Sequence, residues 1–332
     1  MSPKKKKILL FSLILDAIIV ALVLFYFMAI PHGKIDELKD GYVQVVVANG
    51  KAEYSQVKTK PKNWVGIKKI SKIAQQAIVI SEDWAFYEHE GVDWAQVQKS
   101  IEDSIKDGKK PRGASTITQQ LAKNLFLSPE YSFVRKAREA VIAHTMDRKL
   151  SKDKILEVYL NIVEFGPGIY GIDAAARHYF GKSAAELTAK EAAFLAMLLP
   201  SPTRYAQSFK DKELSPFAKE TINSILEKLR MAKFLSPEEV EEAKQDFFDW
   251  EKKAKAQESE ITDEQRYRDA EDGSTASPNR KRNARTKSRR DGSAVENTYR
   301  VDRELEIEDN PQFDDDALIE QVDGIDAEYT LE

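Results

Sequence analysis

The chain contains no cysteine, so a disulfide, a thiolate nucleophile and a Cys-based metal site are all excluded. That absence is compatible with an oxidising compartment and does not demand one. Histidine is nearly as scarce: His32, His89, His144 and His178 show no metal-ligand spacing, and the run EHEG at 88–91 is not the zinc-protease helix pattern. The glycine-rich GPGIYG at 166–171 does not match a phosphate-binding loop and reads as a turn ahead of the helix IDAAARHYF.

Charge is unevenly distributed along the 332 residues. Residues 258–332 hold 22 Asp+Glu and 11 Lys+Arg, a net of −11, which against −4 overall leaves +7 on residues 1–257. A basic body suits an anionic partner, although net charge does not choose among phosphorylated substrates, nucleic acid and anionic surfaces.

In chain order, the lysines of residues 1–7 form a basic N-terminus, expected on the cytoplasmic side. Residues 8–30 are apolar except for Ser12 and Asp16. As a helix they would extend ~34 Å at ~1.5 Å per residue, enough for a ~30 Å hydrocarbon core, so a single transmembrane helix is expected there. A cleavable signal peptide is the rival reading, disfavoured by the length of the run. Asp16 is either a polar contact for another membrane helix or a tolerated charge. Residues 31–64 form a linker in which YVQVVVANGKAEYSQVK reads as a β-hairpin turning at Asn49 and Gly50.

From 65 to 255 the pattern is helical and long enough to bury a core, beginning with Ile70, Ile73, Ala77 and Ile80 at helical spacing. Thr188 with Glu191 and Ser236 with Glu239 predict capping boxes, and Ser215–Pro216 opens another helix. Residues 256–332 form a charged tail, with 7 basic residues in the 11 positions 280–290 and 15 acidic against 2 basic over 291–332, a composition expected to be disordered.

Chemistry concentrates in residues 81–147. Glu82 and Asp83 stand side by side where a buried helix ends, ahead of Trp84, Phe86, Tyr87 and His89. Gly113 and Ser115 suggest a helix start, after which Thr116, Gln119, Gln120 and Lys123 fall at i, i+3, i+4 and i+7, so a polar stripe stands where an apolar one is usual and is expected to line a cleft. Glu139 follows Arg135 by four residues and Lys136 by three, the spacing of an ion pair, with Ala140, Val141, Ile142 and Ala143 around it; burial would raise its pKa and the cations lower it.

SEDWAFYEHEGVD, RGASTITQQLAKN, RKAREAVIAHTMD, KILEVYLN and GIYGIDAAARHYFGK, in that order and spacing, resemble the five signature motifs of the peptidoglycan glycosyltransferases, glycosyltransferase family 51. The likeness covers about residues 65–235. It implies a mainly α, lysozyme-like helical domain, lying behind the single N-terminal transmembrane helix and the short β-hairpin. It also implies an enzyme that polymerises lipid II into β-1,4 glycan strands and releases undecaprenyl diphosphate. On the matching positions, Glu82 and Glu139 would be catalytic. Asp83, Phe86, His89, Ser115, Thr116, Gln119, Gln120, Lys123, Asn124, Arg135 and Lys136 would bind or shape substrate, although from the residues alone His89 reads as structural.

No cofactor is required on this reading; a divalent cation, Mg or Mn, is allowed at Glu139. The expected partners are lipid II, the growing glycan strand and the membrane, with other wall-synthesis proteins reached through the transmembrane helix or tail, and no nucleic acid. The expected location is the bacterial inner membrane, single-pass, with the catalytic domain outside the cytoplasm. Asp147 stands where the family often has Glu. The chain has no KTG motif, and the SxxK match at Ser151 to Lys154 reads as a helix cap, so a monofunctional enzyme without a transpeptidase domain is expected. The alternatives are a lysozyme-like glycan-cleaving enzyme, disfavoured because cations at Lys123 and Arg135 suit a diphosphate, and a non-catalytic scaffold.

Overall fold

Hydroxyl side chains open most of the longer helices, because each helix start leaves N–H groups that need an acceptor. Thr116, Ser132, Ser151, Thr188, Ser215 and Ser236 each accept a hydrogen bond from the backbone N–H three residues on. The boxes Thr188–Glu191 and Ser236–Glu239 close in both directions, and Ser151 caps its helix through the N–H of Lys154 at 3.2 Å.

The computed structural model describes residues 3–48, 50–108, 114–128, 130 and 132–257. Within them the elements are α1 Pro3–Ala29, α2 His32–Glu37, β1 Tyr42–Ala48, β2 Lys51–Val57, α3 Lys72–Glu82, α4 Trp94–Asp107, α5 Ile117–Phe126, α6 Phe133–Lys149 and α7 Lys152–Ile162. There follow β3 Glu164–Gly166, β4 Ile169–Tyr170, α8 Ile172–Phe180, α9 Ala189–Leu198, α10 Pro202–Tyr205, α11 Gln207–Asp211, α12 Pro216–Met231 and α13 Pro237–Gln245. One compact unit runs through Lys255. The charged tail and its basic block lie outside the described residues, as do Asn49 and Gly113.

Helix α9 is apolar on every side, the pattern of a helix surrounded by protein, and Ala192, Ala193, Phe194, Leu195 and Ala196 are completely buried. Helices α3 and α12 pack on it, bringing Ile78 and Leu226 into the same core. Each large side chain so buried contributes roughly 1.5–3 kcal/mol relative to exposure. Helix α5 packs against α6 and α7, so the end of α3 and the start of α5 are set by one continuous core.

Strands β1 and β2 form an antiparallel hairpin in the register Ala48↔Lys51 to Tyr42↔Val57, with Gly50 at φ +72° in the turn, a conformation glycine adopts without Cβ strain. The hairpin is bound to the helical body: Val43 is buried, Tyr42 meets Trp64 edge-on with centroids 5.3 Å apart, and Lys154 Nζ donates to the Gly41 carbonyl at 3.0 Å. GPGIYG makes a second, short hairpin of β3 and β4 before α8.

The expectation for the N-terminus is corrected. Among the described residues no helix is long and apolar enough to cross a membrane. Helix α1 opens in Lys4–Lys7 and carries Asp16. The transmembrane helix behind which the fold was placed, the membrane anchor in the functional reading, and the single-pass inner-membrane location are not carried by the structure; the mainly helical body is.

Candidate active site

Three segments converge at α5. Glu82 is the last residue of α3, Asp83 follows it, and the turn to Gly91 folds back over the start of α5. Asp83 is buried and divides its two oxygens: Oδ1 pairs with His89 Nε2 at 2.8 Å, and Oδ2 accepts from the Ile117 N–H at 2.9 Å. It therefore acts as an acceptor for an otherwise orphaned N–H at the first turn of α5, where the helix dipole favours a negative charge. Thr116 donates to the Gly91 carbonyl at 2.7 Å while capping α5 in a closed box with Gln119.

Gly91 has φ +82°, and a Cβ there would lie 2.5 Å from the Ala143 carbonyl oxygen, so only glycine lets this turn seat on α6. Lys152 completes the frame. Its Nζ donates to the His89 carbonyl at 2.6 Å and to Asp147 Oδ2 at 2.8 Å, and lies 4.6 Å from the centroid of the buried Phe86 ring; Thr118 donates to the same Asp147 oxygen at 3.1 Å.

Inside this frame Glu82 accepts a hydrogen bond from Gln120 Nε2 on Oε2 at 2.7 Å, and Gln120 Oε1 in turn accepts from the Tyr159 hydroxyl at 3.0 Å. Burial pushes the Glu82 carboxyl above its ordinary 4.5; the Gln120 bond opposes this, Asp83 adds to it, and Lys123 opposes it. Lys123 is exposed at the rim, one turn beyond Gln120 and Gln119 on the same helix, and Asn124 beside it is half-buried.

The second carboxylate, Glu139, is only 2 % exposed, yet both its oxygens are held by cations. Arg135 Nη1 donates to Oε2 at 3.2 Å and Lys136 Nζ to Oε1, while Lys136 also donates to Ser115 Oγ at 2.7 Å. The ion-pair spacing in the sequence is thus realised, and it ties the start of α5 to α6. Among the described residues no group of three His, Asp or Glu could hold a metal ion, and the oxygens of Glu139 face two positive groups. That donor set does not fit a divalent cation.

The polar stripe expected on α5 divides in two. Thr116 and Gln119 are buried and spend their side chains on each other and on Gly91, whereas Gln120 turns toward Glu82 and Lys123 stays exposed, its charge acting on Glu82 through space. Phe86, Asp83 and His89 likewise look inward, as the frame rather than the surface. Sequence reasoning did not single out Tyr159 or Lys152. Both lie in or beside KILEVYLN, where a tyrosine at full burial is the only available signal, and burial is not visible in that local pattern.

A family model described as Transglycosylase matches residues 50–230. A biosynthetic peptidoglycan transglycosylase of Herminiimonas arsenicoxydans is 44 % identical over 202 residues, 59 % of this chain and 86 % of that protein. One from Janthinobacterium sp. (strain Marseille) is 49 % identical over 162 residues, 49 % of this chain and 69 % of the relative. A third, from Azoarcus sp. (strain BH72), is 51 % identical over 146 residues, 44 % and 63 % of the two chains. With a matched model over more than half of its length and all five motifs within or overlapping that match, the chain belongs to the transglycosylase family, the peptidoglycan glycosyltransferases, and is an enzyme of that class.

Proposed function

We propose that Glu82 is the general base of glycan polymerisation. Membership of the family brings lipid II and the glycan strand as substrates. On this reading Glu82 takes the proton from the 4-hydroxyl of the acceptor sugar as that oxygen attacks the anomeric carbon of the donor. The bond to undecaprenyl diphosphate breaks with its electron pair leaving on the diphosphate, and inversion at an α-linked donor gives a β-1,4 linkage. Lys123, Arg135 and Lys136 stabilise the growing negative charge of the leaving group. Glu139 holds Arg135 and Lys136 in place for that task.

The observation that carries the proposal is the placement of Glu82 at the end of α3, with Oε2 held by Gln120 Nε2 at 2.7 Å and the other oxygen accepting no hydrogen bond among the described residues, while burial holds the carboxyl above its ordinary 4.5.

The test uses purified protein in detergent with labelled lipid II. Glu82→Gln is expected to lose on the order of 10²–10⁴-fold in polymer formation, the range of a positioned acid–base group. Lys123→Ala is expected to lose ~10²–10³-fold through weaker leaving-group stabilisation. Wild-type rates from Glu82→Gln would remove Glu82 from the role.

A further inference from the structure

Tyr159 is completely buried, on α7, and its hydroxyl ends on Gln120 Oε1 at 3.0 Å. Burial, with Glu82 and then Asp83 nearby, holds the phenol protonated far above its ordinary range, so across any working pH it is a donor toward Gln120. An amide side chain has two orientations half a turn apart, one presenting its N–H₂ to a neighbour and the other its carbonyl. In the orientation observed, the phenol donates to Oε1 and Nε2 faces Glu82 Oε2 at 2.7 Å, the arrangement that satisfies the phenol, the amide and the carboxylate together.

We propose that Tyr159 is a positioning residue for the reaction, acting through Gln120 to hold one oxygen of Glu82 and leave the other directed at the acceptor hydroxyl. This rests on the assignment of Glu82 as the base. Two consequences follow from the chain Tyr159–Gln120–Glu82. The bond from Gln120 offsets part of the cost of ionising Glu82 in a buried place, so the base is in its active, ionised form at lower pH than it would otherwise be. The bond also fixes the carboxylate plane, so that Oε1 approaches the acceptor from one direction.

Removing only the hydroxyl should release the amide, let Gln120 present its carbonyl to Glu82, and raise the pH at which Glu82 ionises. Tyr159→Phe is therefore expected to shift the acid limb of kcat/KM upward. On that limb the rate should fall about three- to tenfold, the net worth of one hydrogen bond between neutral groups, while the loss narrows on the alkaline side of the limb. A purely structural role would instead lower the rate by the same factor at every pH and leave the limb where it was.

The experiment measures lipid II polymerisation against pH for wild type, Tyr159→Phe, Gln120→Met and the double variant, with Glu82→Gln alongside. Gln120→Met keeps the side-chain length, removes both hydrogen bonds and leaves the Tyr159 ring packed. It should give the same limb shift, and the double variant should shift no further, because both changes cut one chain. A wild-type limb in either single variant, a pH-independent loss, or additive shifts would overturn the proposal. If Tyr159→Phe does not fold, the limb of Gln120→Met decides alone. If Glu82→Gln polymerises normally, the base assignment fails; if it is inactive while the limbs stay put, only the role of Tyr159 fails.

Discussion

A carboxyl that burial holds toward its neutral form costs the fold free energy whenever it ionises, and Glu82 is in that position. Its folded pKa lies above the ordinary 4.5, so the folded state binds the proton more tightly than the unfolded chain does. This contribution favours the fold at low pH, begins to be lost as pH rises through about 4.5, and is fully lost above the raised folded value. Glu82→Gln removes the ionisation, so it is expected to raise the melting temperature at neutral pH. The gain should disappear below about pH 4.5, where the wild-type carboxyl is neutral as well. A calorimetric series from acid to neutral pH checks this, and a gain that does not depend on pH would contradict it. Stability gained by a substitution that is also expected to abolish activity would mark a residue kept for chemistry.

At the scale of elements, the start of α5 is where several local signals meet. Thr116 caps the helix, closes the box with Gln119 and reaches the Gly91 carbonyl, so one hydroxyl joins the helix to the turn that carries Asp83 and His89. Thr116→Ala should cost about 1 kcal/mol for the cap alone, or about 2–4 °C in melting temperature, and Thr116→Ser should recover most of it. Equal melting temperatures for the alanine and threonine proteins would show that the cap does not matter. Caps of this kind were legible in the sequence because they depend on residues three apart: Thr188–Glu191, Ser236–Glu239 and the hydroxyl at Ser151 all appear as read. The function of the polar stripe on α5 was only half legible. Spacing places Thr116, Gln119, Gln120 and Lys123 on one face, but whether a glutamine is spent on its own helix cap or offered to a neighbouring carboxylate depends on what α3 and α7 place opposite it. Tyr159 was invisible for the same reason, its partner Gln120 lying 39 residues away.

For the whole molecule, the helical body was readable because apolar spacing and helix caps agree from α3 to α13, whereas the N-terminal run illustrates a limit of counting apolar residues. Its length suggested a span, yet among the described residues no helix meets that requirement, with four lysines at the start of α1 and Asp16 within it. Charge is the property that the whole chain sets and no single element does. Removing residues 258–332 takes away a net −11 and leaves +7 on the rest. The diphosphate of the proposed substrate is an anion, so the body favours its approach and the tail opposes it. A chain ending at Gln257 is therefore expected to show a several-fold higher kcat/KM than the full chain at low ionic strength. The two should converge at about 0.15 M salt and above, where the Debye length falls to ~8 Å or less and distant charge is screened. Among the described residues the buried core runs from Ile30 to Trp250, within the unit ending at Lys255, so the truncated chain is expected to melt at the same temperature. A melting point several degrees lower would show that the tail supports the fold, and equal rates at low salt would show that its charge does not reach the site.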